Sequence, residues 1–207
     1  MKKEKISKRK IQAAETRRKI YQSAKSLFLE HGVEKVSVDS IVEAAGVSKG
    51  SFYVHYESKD VLASILITDY VHEIDSEYKI YLESINNEVP ASDFLILMVE
   101  KIAEIIANKI GHRDMRTLYK SHITKTIDTN YSISYDRELY KMFGDILERG
   151  IRQGEFRSDI PVVTLANHFV LAMRGITFEW CIQYPDFNLK EQFLIHFEIL
   201  LHGIIKQ

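Results

Sequence analysis

The run "SVDSIVEAAGVSKGSFYVHYESKDVL", residues 37–62, constrains the fold of this chain more than any other. Three of its serines each stand directly before a segment suited to a helix. Ser37 is placed to cap a short helix whose apolar positions are Val38, Ile41, Val42 and Ala45. Gly46 ends that helix, because glycine enters the left-handed conformation at little cost. Ser48 caps a second short helix, Lys49 to about Tyr56. Glu57-Ser58 breaks it, and Ser58 opens a long helix from Lys59 to about Glu83. Two short helices joined by a tight glycine-containing turn make a helix-turn-helix.

The flanking sequence extends the helical pattern. Before the motif, Ile20, Ala24, Leu27 and Phe28 form one apolar face of a helix from roughly Ala13 to His31, which Gly32 closes. After it, Ser92 to about Lys109, the segment "HRDMRTLYKSHI", Ser134–Gln153, Val162–Gln183 and a last helix from Asn188 to about Ile205 follow in turn. Pro161 suits the start of its helix. Three prolines and nine glycines in 207 residues leave little room for long loops, and no segment alternates long enough for a strand. The expected fold is all-α. Residues 1–10 read as a basic flexible arm, 11–60 as a helix-turn-helix domain, and 61–207 as a larger helical domain.

Charge divides the chain. Residues 1–60 hold 13 Lys and Arg against 8 Asp and Glu, whereas residues 61–207 hold 15 against 21. A basic head on an acidic body places any polyanion at the head, although a solvated lysine tail gives the same count. No apolar run reaches the roughly 20 residues of a membrane span. Cys181 is the single cysteine and suits a reducing cytoplasm. No HExxH or CxxC motif supports a metal site, and no cofactor loop or nucleophile–base set supports an enzyme.

The second short helix carries groups that touch nucleic acid. Gly50 and Ser51 allow close approach. Lys49 can reach guanine O6 and N7 or a phosphate, Ser51 a phosphate or base edge, and Val54 a thymine methyl. Tyr53 and His55 have donors for phosphate oxygens, which set register without reading sequence. Ser37, Ser48 and Lys59 stand at helix N-termini, where backbone N–H groups already favour anions. Phe52 lies four residues after Ser48 and should face inward, toward Ile41, Ala45 and Phe28.

Together with the preceding "RRKIYQSAKSLFLEHGVEKV", this stretch resembles the DNA-binding domain of the TetR family of transcriptional repressors, whose pattern runs "AGVSKGTLYxHFxSKxxL". Here the match is Ala45 to Leu62. Ser51 stands for the usual Thr and keeps the hydroxyl. Tyr56 stands for Phe. Asp39-Ser40 replaces the family's polar residue and Glu, which leaves the capping box of Ser37 incomplete and removes a base contact from position 39. Later, "GIRQGEFRSDIP", residues 150–161, resembles the family's link into its last two helices.

The resemblance implies a three-helix DNA-binding domain, a larger ligand-binding and dimerisation domain, and a homodimer that uses the last two helices. It carries DNA contact onto Ser37, Ser48, Lys49, Ser51, Tyr53, Val54, His55 and Lys59. One dimer presents two recognition helices, so the operator should be near-palindromic double-stranded DNA. On the penultimate helix Leu165, Phe169, Met173 and Ile176 form an apolar stripe, with Ala172 and Gly175 permitting close approach. Phe193, Phe197, Leu200 and Leu201 do the same on the last. These stripes serve equally as an interface or as monomer core.

In the family a small ligand enters the larger domain and changes operator affinity. Met115, Tyr119, His122, Phe178, Trp180, Cys181 and Tyr184 are the candidate pocket residues, suited to a largely apolar organic effector, and each is equally at home in a core. Arg174 can meet a ligand carboxylate or phosphate, pair with Glu179 or Asp186, or face solvent. The expected function is a ligand-released repressor. The alternative is a DNA-bound adaptor of the same fold that recruits a protein partner.

Overall fold

The computed structural model describes residues 2–86 and 88–206, with side chains from Lys8 onward. Met1 of the expected arm lies outside them. Among the described residues helices follow one another and no strand forms, apart from an isolated antiparallel bridge between Phe156 and Ile205. The chain divides into two compact units. One holds residues up to Tyr70 plus Lys125–Thr129, and the other holds Val71–Thr124 and residues from Asn130 on.

In the first unit, α1 (Lys2–His31) starts well before Ala13. Residues 2–12 have no apolar period, but Lys, Arg, Glu and Gln are good helix formers and no Gly or Pro interrupts them. α2 (Val38–Ala45) and α3 (Lys49–His55) sit where their serines place them. Gly46 between them has φ 64°, a conformation that costs a residue with a Cβ. Ile20, Ala24, Ile41, Val42, Ala45, Phe52 and Leu62 share one core, with Leu27, Phe28 and Val47 packed against it. Phe52 is fully buried, so its large ring anchors α3 to the other helices. α4 starts at Lys59 and runs to Ser84. Ser64 Oγ donates to the Asp128 carbonyl at 2.7 Å and ties Lys125–Thr129 to this unit.

In the second unit, α5 (Ala91–Glu104) runs into a π-helical stretch, Ile105–Ile110, before α6 (Gly111–Thr124). The wider turn keeps the adjacent Ile105 and Ile106 both buried. Pro90 supplies no side-chain cap to α5; the Glu155 carboxylate accepts from the Ala91 and Ser92 N–H groups instead, each at 2.8 Å. α7 (Asn130–Ile133) is a single short turn, and α8 (Glu138–Arg152) starts later than Ser134. The delay has a cause: Arg137 is extended and reaches Asp75 and the Ser132 carbonyl. At Gly150 an added Cβ would lie 2.2 Å from the Phe156 ring, so glycine lets the following link fold back on α8.

α9 (Val162–Gln183) and α10 (Leu189–His202) correct the reading of the apolar stripes. Leu165, Phe169, Met173, Phe193, Phe197 and Leu201 lie inside the protomer's own core. Phe169 meets Phe143 of α8 at 5.8 Å and Phe197 of α10 at 5.5 Å between ring centroids. They hold the helices of one chain together. Ala172, Ile176 and Leu200 are half-buried at the margin. The exposed apolar groups lie on the opposite faces, Leu171, Phe178 and Ile182 on α9 and Ile195 and Ile199 on α10. Gly175, in the middle of the α9 group, has open space above its Cα.

Candidate nucleic-acid interface and effector cluster

The two serine caps shape the first site. Ser48 Oγ accepts from the Ser51 N–H at 3.2 Å and meets Ser51 Oγ at 2.8 Å. Ser37 Oγ accepts from the Ser40 N–H at 3.0 Å, while Ser40 Oγ accepts from the Ser37 N–H at 3.1 Å. The capping box of α2 is therefore complete. The serine hydroxyl closes the bond that the sequence, lacking Glu, leaves open.

On α3 the burial of Phe52 leaves Lys49, Gly50, Tyr53 and Val54 exposed, and Ser51 and His55 half-buried. Val54 is 79 % exposed, an unusual place for an aliphatic side chain at the tip of a helix. The nearest atom to an added Cβ on Gly50 is Ser48 Oγ at 3.9 Å. Nothing inside the protein demands glycine there. Lys49 Nζ meets Asp39 Oδ1 of α2 at 2.7 Å. That hydrogen bond and the charge of Asp39 raise the lysine pKa. The sequence sends Lys59 toward phosphate; in the structure its ammonium donates to the Val33 and Val36 carbonyls at 2.8 and 2.9 Å, fastening the turn ahead of α2. Tyr56 is buried, and the Arg17 guanidinium lies 5.8 Å from its ring centre.

The effector candidates fall into two clusters on α6 and α9. Tyr119 donates its hydroxyl to the Arg174 carbonyl at 2.8 Å, and its ring meets Phe178 and His122 edge-on. His122 Nε2 lies 3.1 Å from Ser132 Oγ. Burial, then the Arg174 charge, lowers the His122 pKa, so the imidazole is neutral at pH 7. Burial likewise pushes the Tyr119 phenol well above its ordinary range. The Arg174 guanidinium lies 5.6 Å from the Tyr140 ring centre and pairs with neither Glu179 nor Asp186 among the described residues.

In the second cluster His112, absent from the sequence candidates, stacks on Tyr184 at 4.0 Å and meets Trp180 edge-on at 5.5 Å. Its Nε2 lies 3.2 Å from the Cys181 carbonyl. Trp180 and Tyr184 line a groove of about 380 Å³ with Ala103, Asn108, Phe187 and Leu189. Met115 and Cys181 are buried. Burial pushes the Cys181 thiol up. Tyr140 lies on the apolar stripe of α8 with Phe143 and Leu147, whereas His112 emerges only from contacts across the fold.

A short capped helix that buries one ring and exposes small, cationic and phenolic groups defines the helix-turn-helix class of DNA-binding proteins. Residues 20–64 match the family described as bacterial regulatory proteins, tetR family. The match covers the helix-turn-helix segment of the chain, which is a DNA-binding transcriptional regulator. The HTH-type transcriptional repressor KstR2 of Rhodococcus jostii is 27 % identical over 168 residues, covering 79 % of this chain and 78 % of that one. The HTH-type transcriptional regulator TtgR of Pseudomonas putida is 24 % identical over 186 residues, 87 % of each chain. Among solved structures, the Thermus thermophilus FadR repressor in complex with lauroyl-CoA shares the fold, with a TM-score of 0.66 and 18 % identity over 92 % of this chain and 96 % of that one. No helix among the described residues is long and apolar enough to cross a membrane.

Proposed function

We propose that this chain is a homodimeric repressor that leaves a near-palindromic operator when a small, largely apolar effector enters its C-terminal unit. The observation that carries this reading is α3. It is anchored by Phe52 and presents Lys49, Gly50, Tyr53 and Val54 with nothing of the chain's own to bury them. Lys49 and Val54 read base edges. Tyr53, His55, Ser51 and the capped N-termini at Ser37 and Ser48 take phosphates, and Lys59 holds the turn that positions α2.

A second copy seats on the exposed faces of α9 and α10, through Leu171, Phe178 and Ile182 and through Ile195 and Ile199. An apolar group of this size, centred on a glycine with open space above it, supports a helix-on-helix interface. KstR2 proteins are named as repressors, and solved FadR neighbours hold lauroyl-CoA or stearoyl-CoA. Those names support repression and an effector with a substantial apolar part.

Selection of bound sequences from a random duplex pool by the purified chain tests the proposal. Two inverted half-sites about one helical turn apart are expected. A single unrepeated half-site, or no enrichment at low salt, sinks it.

A further inference from the structure

Two polar atoms in the C-terminal unit break the rule that enclosed polar groups are bonded. Tyr140 is 5 % exposed, and its hydroxyl is enclosed with no hydrogen-bond partner. The enclosed Nη2 of Arg174 has none either; the Arg174 side chain lies close enough to act on the Tyr140 hydroxyl without giving Nη2 or the hydroxyl a well-formed bond. Each orphan of this kind destabilises a folded chain, because the group has given up its bonds to water and gained none in return. A guanidinium costs more, because it brings a charge into the interior.

We propose that Arg174 Nη2 and the Tyr140 hydroxyl are the donors of an anion-recognising subsite whose ligand is the carboxylate of an otherwise apolar molecule. The inference rests on the effector-released reading above and names the chemistry of that effector. A carboxylate set between the two donors accepts one charge-assisted bond from each, satisfying both orphans at once. Tyr119, bonded to the backbone of Arg174, supplies aromatic surface for the remainder of the ligand.

Charge selects a monoanion. Two guanidiniums bear on Tyr140, those of Arg174 and Arg137. Arg137 is already neutralised by Asp75, which takes Nε at 2.9 Å and Nη2 at 2.6 Å. Arg174 has no carboxylate partner among the described residues, and the neighbouring imidazole of His122 is uncharged at neutral pH. One uncompensated positive charge fits one carboxylate. A phosphate dianion would leave surplus negative charge enclosed.

The test uses the purified full chain with dodecanoate and 2-naphthoate, each against its methyl ester, and with dodecanoyl-CoA, in titration calorimetry. At least one acid is expected to bind about tenfold or more tightly than its ester, as for a hydrogen bond to a charged group. Tyr140→Phe and Arg174→Met are expected to erase that ratio. Without ligand, Tyr140→Phe is expected to keep or raise the Tm, because it deletes an unbonded hydroxyl; a purely structural hydroxyl would lower it. Equal binding of acid and ester, tighter binding of the CoA thioester than of either free acid, failure of both acids to bind, or a lowered Tm in Tyr140→Phe overturns the assignment. Operator release is scored in the same samples. An acid that binds through Arg174 yet never releases DNA leaves the subsite standing and sinks the effector-released reading. Release by esters as readily as by acids does the reverse.

Discussion

The polar groups of α3 and those around Arg174 are held in opposite ways. On α3 they are exposed and already paired: Ser48 with Ser51, and Lys49 with Asp39. Around Arg174 they are enclosed, and two of them are unpaired. A surface that must meet DNA and leave it again benefits from partners of modest strength. Exposed pairs are worth about 0–1 kcal/mol, so exchanging them for phosphate or water is nearly free. An enclosed orphan cannot exchange with water. It holds its cost until a ligand of the right chemistry arrives, and that cost becomes the selectivity of the site.

The sharpest way to break this contrast is the ion pair beside it. Asp75 is buried and holds Arg137 with bonds from two guanidinium nitrogens. Asp75→Ala strands the Arg137 charge and is expected to cost about 3–5 kcal/mol in urea denaturation. A loss under about 1 kcal/mol would show that this interior tolerates a lone guanidinium. The solitude of Arg174 would then carry no information.

The next effect separates fold from function on α3. Gly50→Ala meets open space inside the chain, so unfolding free energy should stay within about 0.5 kcal/mol of the parent. Affinity for the selected operator should fall about tenfold or more, because the added methyl intrudes where backbone approaches base pairs. Unchanged affinity in a gel-shift titration would mean that the N-terminal turn of α3 stays clear of the groove. A smaller change, of opposite sign, is expected from Asp39→Asn. It removes a carboxylate facing phosphate and frees Lys49, so affinity should rise severalfold and the salt dependence should steepen. Weaker binding would instead make the Asp39–Lys49 pair part of the bound geometry.

The same contrast explains why one site is legible in the amino-acid sequence and the other is not. The helix-turn-helix is legible because local signals agree: Ser37 and Ser48 as caps, Gly46 as the left-handed turn, and Phe52 as the one ring that must turn inward. Only the Ser40 reply to Ser37 escapes, since a serine at that position is a weaker signal than Glu. Around α9 the sequence is apolar on both faces. Periodicity therefore finds Leu165, Phe169 and Met173 as readily as Leu171, Phe178 and Ile182, and cannot say which set meets the protomer's own helices. Arg137 and Asp75 are brought together from 62 residues apart, and nothing local announces such a pairing. The N-terminal extension of α1 escapes for another reason. It is carried by helix propensity alone, with no apolar face to mark it.

The smallest expected effect concerns a charge held at neither extreme. Glu155 is half-buried and caps α5 through two N–H bonds. Burial works to raise its pKa, but bonds from Ser92 and Ala91 and the charge of Arg149 outweigh burial, and the net shift is downward. A carboxylate with a lower pKa folded than unfolded adds stability above the unfolded value, about 4.3. That contribution drains away as pH falls through the folded value. Glu155→Gln should therefore lower stability modestly at pH 7 and flatten its decline between about pH 5 and pH 3, as read from denaturant midpoints across that range. Gln keeps one acceptor oxygen, so α5 stays partly capped and the variant folds. If the slope of stability against pH is the same in parent and variant, the carboxylate is not what holds the start of α5, and the fold-back of the 150–161 link over Gly150 would have to do so by packing alone.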